Sequence, residues 1–127
     1  MRKTFTLIFL IALFQSCSNE ELKTRDEYET ELQSLYEEIE FLISNGNCDD
    51  HSDCNTMAIG DKPCGGPSGY LIFSTDIDYA KLESLASRYT RLQKEYNDEF
   101  GIPSDCSIVS PPENIGCINS KCGTVMN

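Results

Sequence analysis

Cys48-Asp49-Asp50-His51-Ser52-Asp53-Cys54 brings two thiols, one imidazole and three carboxylates into a single short stretch. Zinc takes such thiolates and imidazoles, in a closed set of four or in three with a water. Calcium takes carboxylates arranged along a loop. The stretch satisfies neither pattern. His51 is the only histidine in the chain, and no second Cys/His pair of matching spacing occurs. Cysteines of an exported chain are normally oxidised. The acids lack both the glycine and the late bidentate glutamate of a calcium hand. The expectation is a polar loop closed by disulfides, with no metal and no cofactor.

Other catalytic patterns fare no better. Gly66-Pro67-Ser68-Gly69 misses the nucleophile-elbow spacing by one place, and a serine hydrolase would have only His51 as its base. Cys64-Gly65-Gly66-Pro67-Ser68 lacks the Cys-x-x-Cys pair of thiol oxidoreductases. Asp26, Glu27, Glu29, Glu31, Glu37, Glu38 and Glu40 are numerous, but acids along an exposed helix face stay ionised, which is wrong for a general acid. No phosphate loop or dinucleotide fingerprint is found. The sequence predicts no enzyme.

The N-terminus is more explicit. Met1-Arg2-Lys3 is a basic start and the run from Thr4 to Phe14 is almost wholly apolar, too short to span as a mature helix and laid out as a secretory signal. Leu13-Phe14-Gln15-Ser16-Cys17 resembles the lipobox of bacterial lipoproteins, in the form with Ser before the modified Cys. The resemblance implies cleavage after residue 16, acylation of Cys17, and export to the outer membrane of a Gram-negative bacterium. Ser18-Asn19-Glu20-Glu21 resembles the acidic surface-export signal of some such lipoproteins, and the periplasmic and surface faces both stay open. Without Arg2 and Lys3, eight Lys and Arg face 21 Asp and Glu, a net charge of −13. That charge excludes a nucleic-acid partner, which needs a basic footprint. It also leaves the lipid as the only link to an anionic membrane.

Six cysteines remain for the mature domain: Cys48, Cys54, Cys64, Cys106, Cys117 and Cys122. They predict three disulfides whose pairing, one of about 15, the spacing does not choose. At this size such staples matter. Thr24 with Glu27 predicts a capping box for a first helix, and Tyr28, Leu32, Leu35, Tyr36, Ile39, Leu42 and Ile43 recur at helical spacing. Asn45-Gly46 predicts a left-handed stop. Thr56–Ile59 predicts a short strand, and the uninterrupted apolar run Tyr70–Phe73 a buried central one. A second helix is expected from Thr75 or Asp76 to Phe100, closed by Gly101 and Pro103, with Lys81, Arg88, Arg91 and Lys94 offsetting the acids of the first. Cys106–Ser110 predicts a third strand. Cys117–Val125 predicts a fourth, or a hairpin turning at Asn119-Ser120. Together these give an α+β class, two amphipathic helices on a small antiparallel sheet of three to four strands. The domains are 1–16 signal, 17–23 acidic tether and 24–127 one disulfide-braced unit.

Between the two inner strands lies Lys62-Pro63-Cys64-Gly65-Gly66-Pro67, where prolines set backbone angles and glycines permit positive ones. With Cys106 and the later cysteines, this string resembles exported cysteine-rich bacterial proteins sharing a Lys-Pro-Cys-Gly-Gly-Pro core. That resemblance implies a braced unit and carries no catalytic residues with it. Lys62, Pro63, Gly65, Gly66, Pro67 and Tyr70 form the expected contact loop, for a protein or glycan partner. An alternative is an inhibitor of an exported hydrolase. Its acidic surface would steer onto a basic lysozyme, or its Lys62 loop would enter a protease cleft. Protein taken from its own membranes is expected to carry a diacyl or triacyl mass on Cys17, to gain six hydrogens on reduction and to retain no metal. Intact-mass spectrometry checks this, and an unmodified Cys17 or free thiols would overturn it.

Overall fold

The computed structural model describes residues 22–126; the expected signal, the expected lipidation site Cys17 and residues 18–21 lie outside them. Helix α1 covers Arg25–Asn45 and helix α2 covers Tyr79–Phe100. Strands β1, Cys54–Ile59, and β2, Gly69–Ser74, form one antiparallel ribbon. Strands β3, Ile115–Ile118, and β4, Lys121–Thr124, form a second. The class is α+β, braced by three disulfides.

α1 begins as the sequence predicts. Thr24 accepts from the Glu27 backbone N–H while Glu27 reaches back to the Thr24 N–H, a complete capping box. Its apolar stripe meets that of α2 in an antiparallel pair. Tyr28 sits against Phe100 with ring centroids 5.8 Å apart, and Tyr36 lies 5.8 Å from Tyr89. Both helices cover one face of the β1–β2 ribbon. Leu35, Ile39, Leu82, Leu85, Ala86 and Leu92 close over Ile59, Leu71 and Phe73. Leu71 and Phe73 are two residues apart and so share that face.

The structure departs from the sequence reading in four places. Gly46 has φ −72°, so it is not a left-handed stop. It is glycine because a Cβ there would stand 2.5 Å from Ile77 Cγ2 and 3.1 Å from Ser74 Cβ. α2 starts at Tyr79, capped by Asp78, and not at Thr75 or Asp76. Those two residues are held in a turn, where the Asp76 N–H donates to Ser74 Oγ and the Thr75 N–H to the Asp53 carbonyl. The sheet is two separate ribbons, so Tyr70–Phe73 lies on an edge strand. Helices and hairpin, rather than flanking strands, supply its burial. Finally, Cys106–Ser110 pairs with no strand. Cys106 has φ +55° and Pro111-Pro112 follows, so the segment runs as an extended strap.

The hairpin at Asn119-Ser120 forms as expected. Both residues have positive φ, 50° and 61°, as a two-residue primed turn requires. Such a ribbon is marginal by itself. Two disulfides hold it: Cys48–Cys117 and Cys54–Cys122 tie opposite strands of the hairpin to the two ends of the segment 48–54.

Gly46→Ala is expected to destabilise the fold by about 1–3 kcal/mol through overpacking, lowering the melting temperature by about 4–8 °C per kcal/mol. Gly123, where a Cβ meets nothing within 4 Å, should accept alanine without loss. Thermal denaturation of both variants checks the contrast.

Candidate functional site

The central turn is built from α2. Thr90, Gln93 and Asn97 lie on one face of that helix at helical spacing. Thr90 Oγ1 accepts from the Gly60 N–H at 2.9 Å, and Gln93 Oε1 accepts from the Asp61 N–H at 2.7 Å and from Ser68 Oγ at 2.9 Å. Buried Asn97 donates its amide N–H to the Asp61 carbonyl at 2.8 Å. Sequence reading took this helix for its amphipathic pattern and its four basic residues and missed these three. Polar residues interleaved at positions 90, 93 and 97 were the signal available.

Within the turn, the Gly65 N–H donates to the Lys62 carbonyl and the Lys62 N–H to the Gly66 carbonyl. Gly65 and Gly66 have φ +94° and +85° with open space around them, so backbone angle alone demands glycine there. Cys64 bonds Cys106 of the strap. The Lys62 side chain is only 15 % exposed. Its ammonium donates to Asp105 Oδ1 at 2.9 Å, the Ser107 carbonyl at 2.7 Å and Ser107 Oγ at 2.9 Å. Lys62 is therefore a clamp on the strap and not a free contact. Pro63, Gly65 and Gly66 are exposed, Pro67 is half-buried, and Tyr70 lies apart from them on β2. The strap presents Ile108, 92 % exposed. The Lys62 ammonium, with the backbone and side chain of Ser107, holds the Asp105 carboxyl down at about 2.

The Cys48–Cys54 stretch is a polar loop closed by disulfides at both ends. The two cysteines bond Cys117 and Cys122 rather than each other, although Sγ of Cys48, Cys54 and Cys122 all lie within 4.8 Å. His51 covers Gly116, where a Cβ would strike its ring, and its Nδ1 accepts from the Cys117 N–H at 2.9 Å. Asp53 receives the Asp50 and Asp49 N–H groups, and Asp50 receives that of Ser52. These bonds hold both carboxyls below their usual range. The acids therefore stabilise the loop's own backbone.

Several of the α1 acids also have partners. Glu38 pairs with Lys81 at 3.1 Å, Glu31 with Arg88 at 2.9 Å and with Lys23, and Glu29 accepts from the Tyr96 hydroxyl. Lys23 first and Arg88 second hold the Glu31 carboxyl low. Exposed pairs of this kind contribute little stability each.

A cleft of about 520 Å³ opens between the C-terminal half of α1, β2 and β4, one of several of similar size on the described residues. Tyr36, Glu40 and Ile43 form one wall and Lys121 and Cys122 the other. Lys121 donates to the carbonyls of Ser44 and Gly46 and to Asn47 Oδ1, each within 2.9 Å. Its charge thus caps the end of α1.

Among the described residues no helix is long and apolar enough to cross a membrane. Compared with protein-family models, with curated proteins and with solved structures, the chain matches none.

Because the Asp105 carboxyl is lowered, the clamp's contribution is whole above its unfolded value of about 3.9 and is lost as pH falls toward about 2. Asp105→Asn should therefore lower the melting temperature at pH 5, and the gap from wild type should close as pH approaches 2. Melting curves across that window check it. A gap independent of pH would contradict the clamp.

Proposed function

We propose that this chain is a lipid-anchored protein of the bacterial cell envelope that binds a protein or glycan partner, tethered through Cys17 to the outer membrane. The observation that carries the binding role is the division of labour among the polar groups. His51 is taken up by the hairpin backbone, Ser68 by Gln93 and Lys62 by the strap, while an apolar-walled cleft stays open beside β2. Three disulfides closing separations of 69, 68 and 42 residues keep these surfaces rigid. Rigidity lowers the ordering cost of binding.

A second reading, inhibition of an exported hydrolase, is favoured by one observation: the strap is braced at Cys106 and Ser107 while Ile108 projects into solvent. A protease cleft would then receive Ile108 in place of Lys62. Ile108→Asp would abolish such inhibition, whereas the primary reading leaves a panel of lysozymes and proteases unaffected.

The mature chain carrying Cys17→Ser should bind envelopes from a strain lacking the protein, saturably. It should lose that binding after reduction and alkylation. A sedimentation assay reads this, with protease or lysozyme pretreatment separating protein from glycan partners. Binding that never saturates, or that survives reduction, would overturn the proposal.

A further inference from the structure

The cleft beside β2 has the form of a strand-acceptor site. Five consecutive residues, Tyr70 to Ser74, line it. Alternate side chains of a strand point to opposite faces, so one cavity touches all five only if it opens on the strand's edge.

The register shows which backbone groups face it. β1 and β2 pair with Asn55 opposite Phe73 and Met57 opposite Leu71. The Thr75 N–H bonds the Asp53 carbonyl directly opposite. Bonded pairs alternate along an antiparallel ladder, so residues 69, 71 and 73 turn their N–H and C=O toward β1. Tyr70 and Ile72 turn theirs into the cleft, where neither finds a hydrogen-bond partner among the described residues.

The opposite edge of the ribbon is partly capped. On β1 the outward Thr56 N–H is capped by Asn55 Oδ1, and just beyond it the Gly60 N–H is capped by Thr90 Oγ1. Edges are also commonly blunted by lysine, proline or a bulge. Gly69-Tyr70-Leu71-Ile72-Phe73-Ser74 contains no charge and no proline. β1 is equally free of charge and proline and leaves the Ala58 N–H open among the described residues, but β2 differs in that neither outward N–H, of Tyr70 or of Ile72, is capped.

Charge limits what fits there. Lys121, the cation on the β4 wall, spends its three donors on the Ser44 and Gly46 carbonyls and Asn47 Oδ1 at the end of α1. Glu40, on the α1 wall, has no hydrogen-bond or ion-pair partner among the described residues, and the chain is strongly acidic.

From this open edge and unpaired carboxylate we propose that the cleft binds an extended peptide of alternating apolar residues carrying a lysine or arginine opposite Glu40. The peptide adds antiparallel or parallel to β2 and bonds Tyr70 and Ile72, with its apolar side chains against Tyr36 and Ile43. Main-chain bonds supply affinity in this mode and alternate side-chain pockets supply selectivity. The inference rests on the binding role proposed above and names its partner as an exposed protein strand.

The test is selection of heptapeptides from a random display library on the mature chain carrying Cys17→Ser. Alternating apolar sequences with a basic residue should be enriched. The best synthetic peptide should slow amide exchange at Tyr70 and Ile72. Glu40→Lys should weaken it about fivefold or more. Ile72→Pro, which removes an N–H that β1 does not use, should weaken it about tenfold or more. Should the proline variant fail to fold, Glu40→Lys and the exchange measurement decide the matter. No enrichment, enrichment indifferent to both variants, or displacement of the peptide by an oligosaccharide would overturn the site. If both variants still sediment with envelopes like the parent, the cleft is refuted and the broader binding role stands. If the parent itself does not sediment, the broader role fails.

Discussion

Two disulfides on one short hairpin are the constraint on which the rest of this structure depends. β3 and β4 bury little and would be marginal alone. Cys117 and Cys122 stand directly opposite each other on the hairpin, yet each bonds outward, to Cys48 and to Cys54. A separation of about 70 residues gives each bridge a loop-closure contribution of roughly 4 kcal/mol in the chain-entropy view. The bridges hold the hairpin against the ribbon, with His51 filling the space over Gly116. They also turn β4 into a wall beside β2, without which that edge would face open solvent.

The opposite end of the ribbon is secured by different chemistry. There α2 carries a polar row, Thr90, Gln93 and Asn97, that takes up backbone groups at Gly60 and Asp61 which the β1–β2 ladder leaves free. Buried backbone groups need such partners. Lys62 and the Cys64–Cys106 bridge then carry the order outward to the strap. One helix thus serves both the apolar core and the polar turn, and the clamp lysine is drawn inward as a consequence.

What remains after these internal bonds is uneven. The β1 side is capped at Thr56 and Gly60, most α1 acids are paired and the single imidazole is occupied. The β2 edge, Glu40 and Ile108 are left without such partners among the described residues.

The local features were legible in the chain. The Thr24 capping box, the two amphipathic stripes, the Gly101 left-handed cap and the primed turn at Asn119-Ser120 each depend on a few neighbouring residues, so spacing alone determined them. Six cysteines available for bridges and an acidic composition were equally plain. Pairing was not, because bridges between residues 42 to 69 apart depend on where the elements pack. Gly46 looked like a left-handed cap, yet its need for glycine comes from Ile77 and Ser74, far along the chain. The apolar run at Tyr70–Phe73 looked central. Burial by two helices and a hairpin leaves the same composition as burial between strands, and only the tertiary structure separates the two. The strap at Cys106–Ser110 was β-like in residue type, but a ladder needs a neighbouring strand, and the fold places none there. Lys62 read as a free charge in a turn until Asp105 and Ser107, more than 40 residues away, were brought beneath it. Local periodicity determined the elements; long-range packing decided which of their groups stayed open.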